Sequence, residues 1–504
     1  MASAVTIFLG GYINFQYLRS LSELIRMFLH KYGLSFLIAA TLSAGAGVLS
    51  AASAAKEIEQ LPVVISDRLG LAFPGKQDEY YRVLKEAGLG VIRLGVSWQY
   101  REPRRGEYNW RALDKQIIAL QRLGIKPFLT LYTDASWGVR DRKSPVKNKR
   151  PKNANQWQAF VHNLVERYDG DGKNDAPQLK GKVIYYQVAN EWVSNKNKSG
   201  GWNGSADELI EFINLSYDAV KEADPEAIFV MGGVAAFNLD LMSMLKGLSK
   251  EPIHQKFTAD SSVTVSSDML ASLGYESMQK DVYKVLESSK YDYADVHLYG
   301  ESRRNRYRIE AIQEHTNGRP LLSSECGGPS LDYIAEYEPN DHFTAVFDWN
   351  LSSMSQGLVF CLWFQLGEGP GATWGNRKVA LFDLSKEPKP GFWGYRLLSH
   401  LLQDIEEVRF VREGVYELTY KSGSVLVVAW NAGSSEITSE MLREILVKGD
   451  RENSRKPLPI YKVVTIADVK NGKYIIEDRR FDSSLRLGDT PVIIGVSLPG
   501  AISQ

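Results

Sequence analysis

The stretch VIYYQVANEW, residues 183–192, is an apolar run that ends abruptly in Asn190-Glu191. Buried strands of parallel sheets read as short apolar runs, and polar residues at their C-terminal ends mark the mouth of a barrel. Seven further runs of the same kind flank it. RLGLAF ends at Phe73, VIRLGVSW at Trp98 and KPFLTLYT at Thr133; AIFVMGGVA ends at Ala235, YADVHLYG at Gly300, RPLLSSEC at Cys326 and GLVFCLWFQL at Leu366. Amphipathic helical patterns separate them. Trp157, Phe160, Val161, Leu164, Val165 and Tyr168 recur at spacings of three and four. Ser205 and Glu208 form a capping-box pattern that opens the helix after the fourth run and stops before Pro225, while Gly88 and Gly124 stand where C-terminal caps belong. Eight alternating units predict an α/β chain folded as a (β/α)8 TIM barrel over 60–404. The long segment 238–290 predicts two extra helices that wall one side of the mouth.

Beyond Asp404 the pattern changes to short alternating strands, VRFV, VYELTY, SVLVVAW, YKVVTI, KYIIED and PVIIGV. These predict a C-terminal all-β domain of the β-sandwich type over 405–504. At the other end, 1–54 reads as a leader with a signal peptide. The uncharged run from Leu34 to Ala55 follows Lys31, Ala52-Ser53-Ala54 offers a small-x-small cleavage pattern, and Met27 is a possible true start. Export to a secreted or periplasmic location follows from that reading, an uncleaved anchor being the alternative.

Composition removes other classes. With 60 Lys+Arg against 60 Asp+Glu, no overall basic field recruits nucleic acid. Seven His without ligand spacing disfavour a zinc site, and two Cys exclude a disulfide framework. No cofactor and no resident metal are expected. The loop Asp169 to Asp175 looks like a calcium loop, but Lys173 replaces a ligand and no Glu closes it.

Glu191 ends the fourth run and Glu325 the seventh, which sets two carboxylates facing across the mouth. One acid to protonate a leaving oxygen and one carboxylate to attack an anomeric carbon are what glycoside cleavage needs. Arg93, a charge inside an apolar strand, can hold Glu325 ionised. His297 and Tyr299, two apart, share a strand face; Tyr299 can donate to Glu325 and His297 can meet substrate.

These positions resemble the clan A glycoside hydrolases, retaining TIM-barrel enzymes that include cellulase-like and β-xylosidase-like families. The resemblance implies Glu191 as acid/base, kept protonated, and Glu325 as nucleophile of a double displacement on a β-linked oligo- or polysaccharide. It also implies Asn190 at the sugar 2-hydroxyl, Arg93 beside the nucleophile, His297 and Tyr299 on strand six and Trp363 on strand eight under the cleaved sugar. Trp137, Trp202 and Trp374 are candidate sugar platforms in the loops, with Asp134 and Glu368 as polar candidates on the rim. A non-catalytic carbohydrate-binding scaffold and a transglycosylase are the alternatives. With Trp363 facing inward, Cys361 and Cys326 should face oppositely and remain free thiols.

Overall fold

The computed structural model describes residues 55–74, 78–258, 261–328, 337–368, 378–446, 460–481, 484–499 and 502. The expected leader and Trp374 lie outside the described residues.

Strand β1 (Lys56–Ile58) belongs to the C-terminal sheet. The next five, β2 (Ser66–Ala72), β3 (Leu89–Ser97), β4 (Lys126–Tyr132), β5 (Tyr185–Val188) and β6 (Ile228–Val234), run in parallel. A separate antiparallel hairpin, β7 (Ile253–Thr258) and β8 (Ser261–Val265), intervenes. Parallel β9 (Tyr293–Tyr299), β10 (Leu321–Gly327) and β11 (Cys361–Trp363) complete the wall, and β11 pairs with β2 to close an eight-stranded barrel in sequence order. Every anticipated apolar run supplies one barrel strand.

Local chemistry accounts for the elements between them. The capping box is present, the Ser205 hydroxyl accepting from Glu208 N while the Glu208 carboxylate accepts from Ser205 N, and the helix Ala206–Ala223 ends two residues before Pro225, as predicted. Gly88 takes φ 82° after the helix Asp78–Glu86, a left-handed conformation that a side chain would oppose. The barrel interior is filled by Ala72, Val91, Phe128, Val230, Leu322, Phe360 and Leu362. A larger apolar layer lies between the strands and the outer helices.

The extra segment forms the helix Ala236–Leu245, the β7–β8 hairpin and the helix Tyr275–Ser288, around a small core of Leu241, Met244, Ile253, Val265 and Leu270. Its Glu251 and Pro252 are tied to Arg303 and Arg304, just past the C-terminal end of β9.

The remaining strands are β12 (Ile405–Arg412), β13 (Val415–Tyr420), β14 (Val425–Ala429), β15 (Glu436–Ile437), β16 (Tyr461–Asp468), β17 (Lys473–Arg479), β18 (Leu485–Arg486) and β19 (Val492–Gly495). Seven strands make one antiparallel sheet in the order β1-β17-β16-β19-β14-β13-β12. Alternation gives it two apolar faces. Tyr416, Leu418, Leu426, Val428 and Ile493 join the large apolar layer around the barrel, whereas Val415, Val427, Ala429, Val463 and Ile494 form a second core covered by the helix Ser439–Leu446. The small β15–β18 ladder completes that outer layer.

The two cysteines correct the sequence reading, because Cys326 and Cys361 form a disulfide. Phe360, just before β11, and Leu362 on it point into the barrel, and Cys361 and Trp363 point out. A register irregularity in β10 between Ser323 and Cys326 leaves Glu325 inward and Cys326 outward. Both sulfurs therefore occupy the outer layer, and the assumption that Trp363 faces inward is what set them apart.

Candidate active site

Barrel geometry delivers the ends of β3, β5, β9 and β10 to one mouth. Arg93, fully buried on β3, is the hub of its hydrogen bonds. It donates through Nε to Thr130 Oγ1 (2.7 Å), through Nη2 to Gln187 Oε1 and Asn190 Oδ1 (2.6 Å each) and through Nη1 to Glu325 Oε1 (2.5 Å). Tyr299 Oη donates to the other oxygen of Glu325 at 2.8 Å. Glu325 thus has a guanidinium and a phenol on separate oxygens, which suits a carboxylate that must stay ionised.

Glu191 projects from a strained backbone. Ala189 and Glu191 both take the left-handed region, φ 63° and 46°. Non-glycine residues there cost about 1–2 kcal/mol each, a strain that clusters at functional sites. Asn197 Nδ2 donates to Glu191 Oε2 at 2.5 Å, and His297 Nδ1 lies 2.9 Å from Glu191 Oε1 and 3.5 Å from Glu325 Oε2. One oxygen from each glutamate and a His297 nitrogen all lie within 4.8 Å of one another.

Beneath His297 sits Asp295, a buried carboxylate that the sequence reading passed over. It accepts from Ser324 N and Oγ (2.8 and 2.6 Å) and from Gln187 Nε2 (2.7 Å), and lies 3.3 Å from His297 Nε2. Burial opposes a proton on His297, yet Glu325, Asp295 and Glu191 outweigh it and hold the imidazolium pKa up at about 10. Burial likewise opposes charge on Glu191 and Asp295, but hydrogen bonding and attraction to His297 bring both below the usual carboxylate range. The direction runs against the expected protonated Glu191, since the pair it makes with His297 favours its carboxylate form. His297 is also not open to substrate, being 0% exposed with both ring nitrogens facing carboxylates.

Other expected residues divide. Asn190 is in place, its Oδ1 fixed by Arg93 and its Nδ2 3.4 Å from Ser199 O. Trp363 is not under the site. Its ring is fully buried outside the barrel, Nε1 donates to Val379 O at 2.8 Å, and Tyr395 and His342 pack on it. Its neighbour Phe364 faces the mouth, edge-on to Phe73 (6.3 Å) and Tyr299 (6.4 Å). Trp202 is also withdrawn, 4% exposed, stacked on Phe212 at 5.1 Å and bonded through Nε1 to Ser205 O. Trp137 is half-buried against Trp98 with Nε1 on Glu102 O. Asp134 accepts from Gln99 N on the rim, and burial raises its pKa. Glu368 is taken up by Lys378 and Lys389.

Tyr132, at the end of β4, is a further residue of the mouth. Its side chain is 6% exposed, and burial first, then the nearby Glu325, Glu191 and Asp134, keep its phenol from ionising against the opposing pull of Arg93. Among the described residues two clusters have the donor spacing for a cation. In the mouth, Arg93 and the His297 imidazolium already supply positive charge to Glu191 and Glu325; at the surface, Glu166, Asp169 and Asp171 converge, with Lys173 paired to Asp171 at 3.1 Å.

Residues 75–140, which include Arg93 and Tyr132, match the family model described as β-galactosidase, glycoside hydrolase family 42. A family 39 glycoside hydrolase from the gut symbiont Bacteroides cellulosilyticus WH2 superposes with a TM-score of 0.54 at 13% identity, over 87% of this chain and 83% of its own. A glucosidase from Croceicoccus marinus superposes with a TM-score of 0.55 at 13% identity, over 88% of this chain and 98% of its own. No curated protein matches the sequence. No helix among the described residues is long and apolar enough to cross a membrane. The chain resembles the clan A glycoside hydrolases and carries their fold, a TIM barrel with an appended β-domain, with its two strand-end glutamates at the mouth of that barrel.

Proposed function

We propose that this protein is a retaining glycoside hydrolase that cleaves a β-linked oligo- or polysaccharide without a cofactor. The observation that carries the reading is the close approach of Glu191 and Glu325, whose oxygens come within 4.8 Å across His297. Retaining enzymes set their carboxyl groups about 5–5.5 Å apart, whereas inverting ones leave about 6.5–9.5 Å for a water. Glu325, ionised beside Arg93, attacks the anomeric carbon. As the bond to the aglycone breaks, the leaving oxygen takes the His297 proton, relayed through Glu191 across their 2.9 Å contact, which leaves Glu191 ionised and His297 neutral. Esterification then removes the charge of Glu325. Water, deprotonated by Glu191, attacks the glycosyl ester, and the proton returns to the Glu191–His297 pair. A sugar hydroxyl in place of that water would give transglycosylation.

We also propose export, supported by the signal-like run before Ala55 and by a disulfide, a bond that persists in oxidising compartments.

The test is hydrolysis of aryl β-glycosides, β-glucans, xylans and mannans by wild type, Glu191→Ala and Glu325→Ala with added azide. Glycosyl azides of retained configuration from Glu191→Ala and inverted configuration from Glu325→Ala are expected. Binding without cleavage across the panel would favour a carbohydrate-binding scaffold.

A further inference from the structure

The even charge balance of the chain conceals a local excess. Between Arg140 and Lys152 the sequence RDRKSPVKNKRPK carries seven Lys or Arg and one Asp. That Asp141 is taken up by Arg150, which Glu208 also engages. The loop follows β4 and is stitched to the loop that follows β5. Lys147 N donates to Gly200 O at 2.8 Å, and buried Asn148 donates through Nδ2 to Asn190 O (3.0 Å) and Gly201 O (2.9 Å). The second loop adds Lys196 and Lys198, on either side of the Asn197 that holds Glu191. Arg142, Lys143, Lys147, Lys196 and Lys198 are exposed and Lys149 is half-buried; among the described residues none of the six has a carboxylate in ion-pair contact. Lys147 Nζ stands 4.7 Å over the Tyr132 ring, where Asp134 is the carboxylate that feels its charge.

Lys147, Lys196 and Lys198 thus stand on the two loops stitched together beside Glu191, the residue that on the glycosidase reading protonates the leaving aglycone. By contrast, Lys378 and Lys389, beyond the end of β11, share the carboxylate of Glu368. Clustered ammonium groups at the edge of a cleft raise the local concentration of anions and steer them inward. We propose that the leaving-group side of this cleft binds an anionic saccharide, one bearing carboxylates or sulfates on the units beyond the cleaved bond. This rests on the glycosidase reading for the direction of the chain, though not for the existence of the anion site.

The test is calorimetric binding to the full chain carrying Glu325→Gln. The probes are β-1,4-glucan oligomers in three forms: unmodified, oxidised at C6 to carboxylates, and sulfated. Each is measured at about 20 and about 200 mM NaCl, since screening separates charge from shape. The oxidised or the sulfated oligomer should bind at least about tenfold more tightly than the parent at low salt, and whichever binds identifies the anion. That preference should fall with salt, disappear in Lys147→Glu/Lys196→Glu/Lys198→Glu and survive in the matching triple Arg variant. Single Lys196→Glu and Lys198→Glu variants, each expected to weaken the preference, give the same reading should the triple variant not fold. Equal affinity for all three oligomers would overturn the proposal, as would a preference that persists in a folded triple Glu variant. Single-stranded DNA bound as tightly as the anionic oligomers would overturn the assignment to a saccharide. Charge-dependent binding by a wild-type chain that cleaves nothing would remove the glycosidase reading and leave the anion site standing. Cleavage of neutral glycosides with no charge preference would do the reverse.

Discussion

His297 Nδ1 lies 2.9 Å from Glu191 Oε1, with no solvent reaching the ring. The imidazolium is thereby locked between Glu191, Asp295 and Glu325, and its pKa stands at about 10 against an ordinary 6.5. A raised folded-state pKa contributes stability that is complete below 6.5 and is lost as pH rises through about 10. The thermal stability of the wild type should therefore fall from about pH 6.5 to about pH 10. His297→Gln should flatten that alkaline slope. On the acid side Glu191 and Asp295, both lowered, contribute stability that is lost as pH falls below their usual range. Equal alkaline slopes for wild type and variant would contradict a charged His297.

Gly233, on β6, leaves the space that the His297 ring fills; a Cβ there would overlap the ring and crowd Asp295 Oδ2. Gly233→Ala should push the imidazole off the carboxylates of Glu191, Asp295 and Glu325. A displacement of about 1 Å in a reacting group costs about 10²-fold in rate, so kcat/KM on an aryl glycoside should fall by about that factor. Overpacking should also lower stability by about 1–3 kcal/mol, read by denaturant unfolding.

Trp363 and Phe364 should separate stability from binding. Trp363→Ala empties a fully buried site and should cost about 3–5 kcal/mol of stability. Phe364→Ala, at the mouth, should raise KM for oligosaccharides by about tenfold, the loss of one aromatic platform of about 1 kcal/mol or more. Denaturant curves and saturation kinetics on both variants check the assignment, and the opposite pattern would restore Trp363 to the sugar.

The Cys326–Cys361 bond closes a sequence separation of 35 residues. Thiol titration of the denatured, unreduced chain should find no free sulfhydryl. The double variant Cys326→Ser/Cys361→Ser should lose about 3–4 kcal/mol of stability, because the link restrains the unfolded chain across β10 and β11.

The barrel was legible because each of its strands is an apolar run ended by a polar or glycine signal. Glu191, Glu325, Arg93 and Tyr299 could be placed because strand ends meet at one mouth. What escaped was finer phase. β11 is three residues long, too short for alternation to show which of Trp363 and Phe364 turns inward. The irregularity in β10 shifts its pleat between Leu322 and Glu325, so counting by two from either end gives conflicting faces. Asp295 carried a usable signal, since it stands two before His297 on the same face. Asn197 carried none, because it reaches Glu191 only through a loop that folds back.

The pairing of β1 with β17 sets a temporal constraint on the making of this molecule. Ile58 opposes Tyr474, so the first described strand waits for a partner roughly 415 residues later in the chain. At about 5–20 residues per second, that interval is on the order of half a minute. Until then Tyr474 and Ile493, which belong to the apolar layer around the barrel, do not exist to cover their share of it. A polypeptide released short of β17 would expose that surface and leave its first strand an open edge, a species prone to aggregate or to be degraded. Synthesis of the segment that carries β17 and β19 therefore acts as the quality check on the whole barrel.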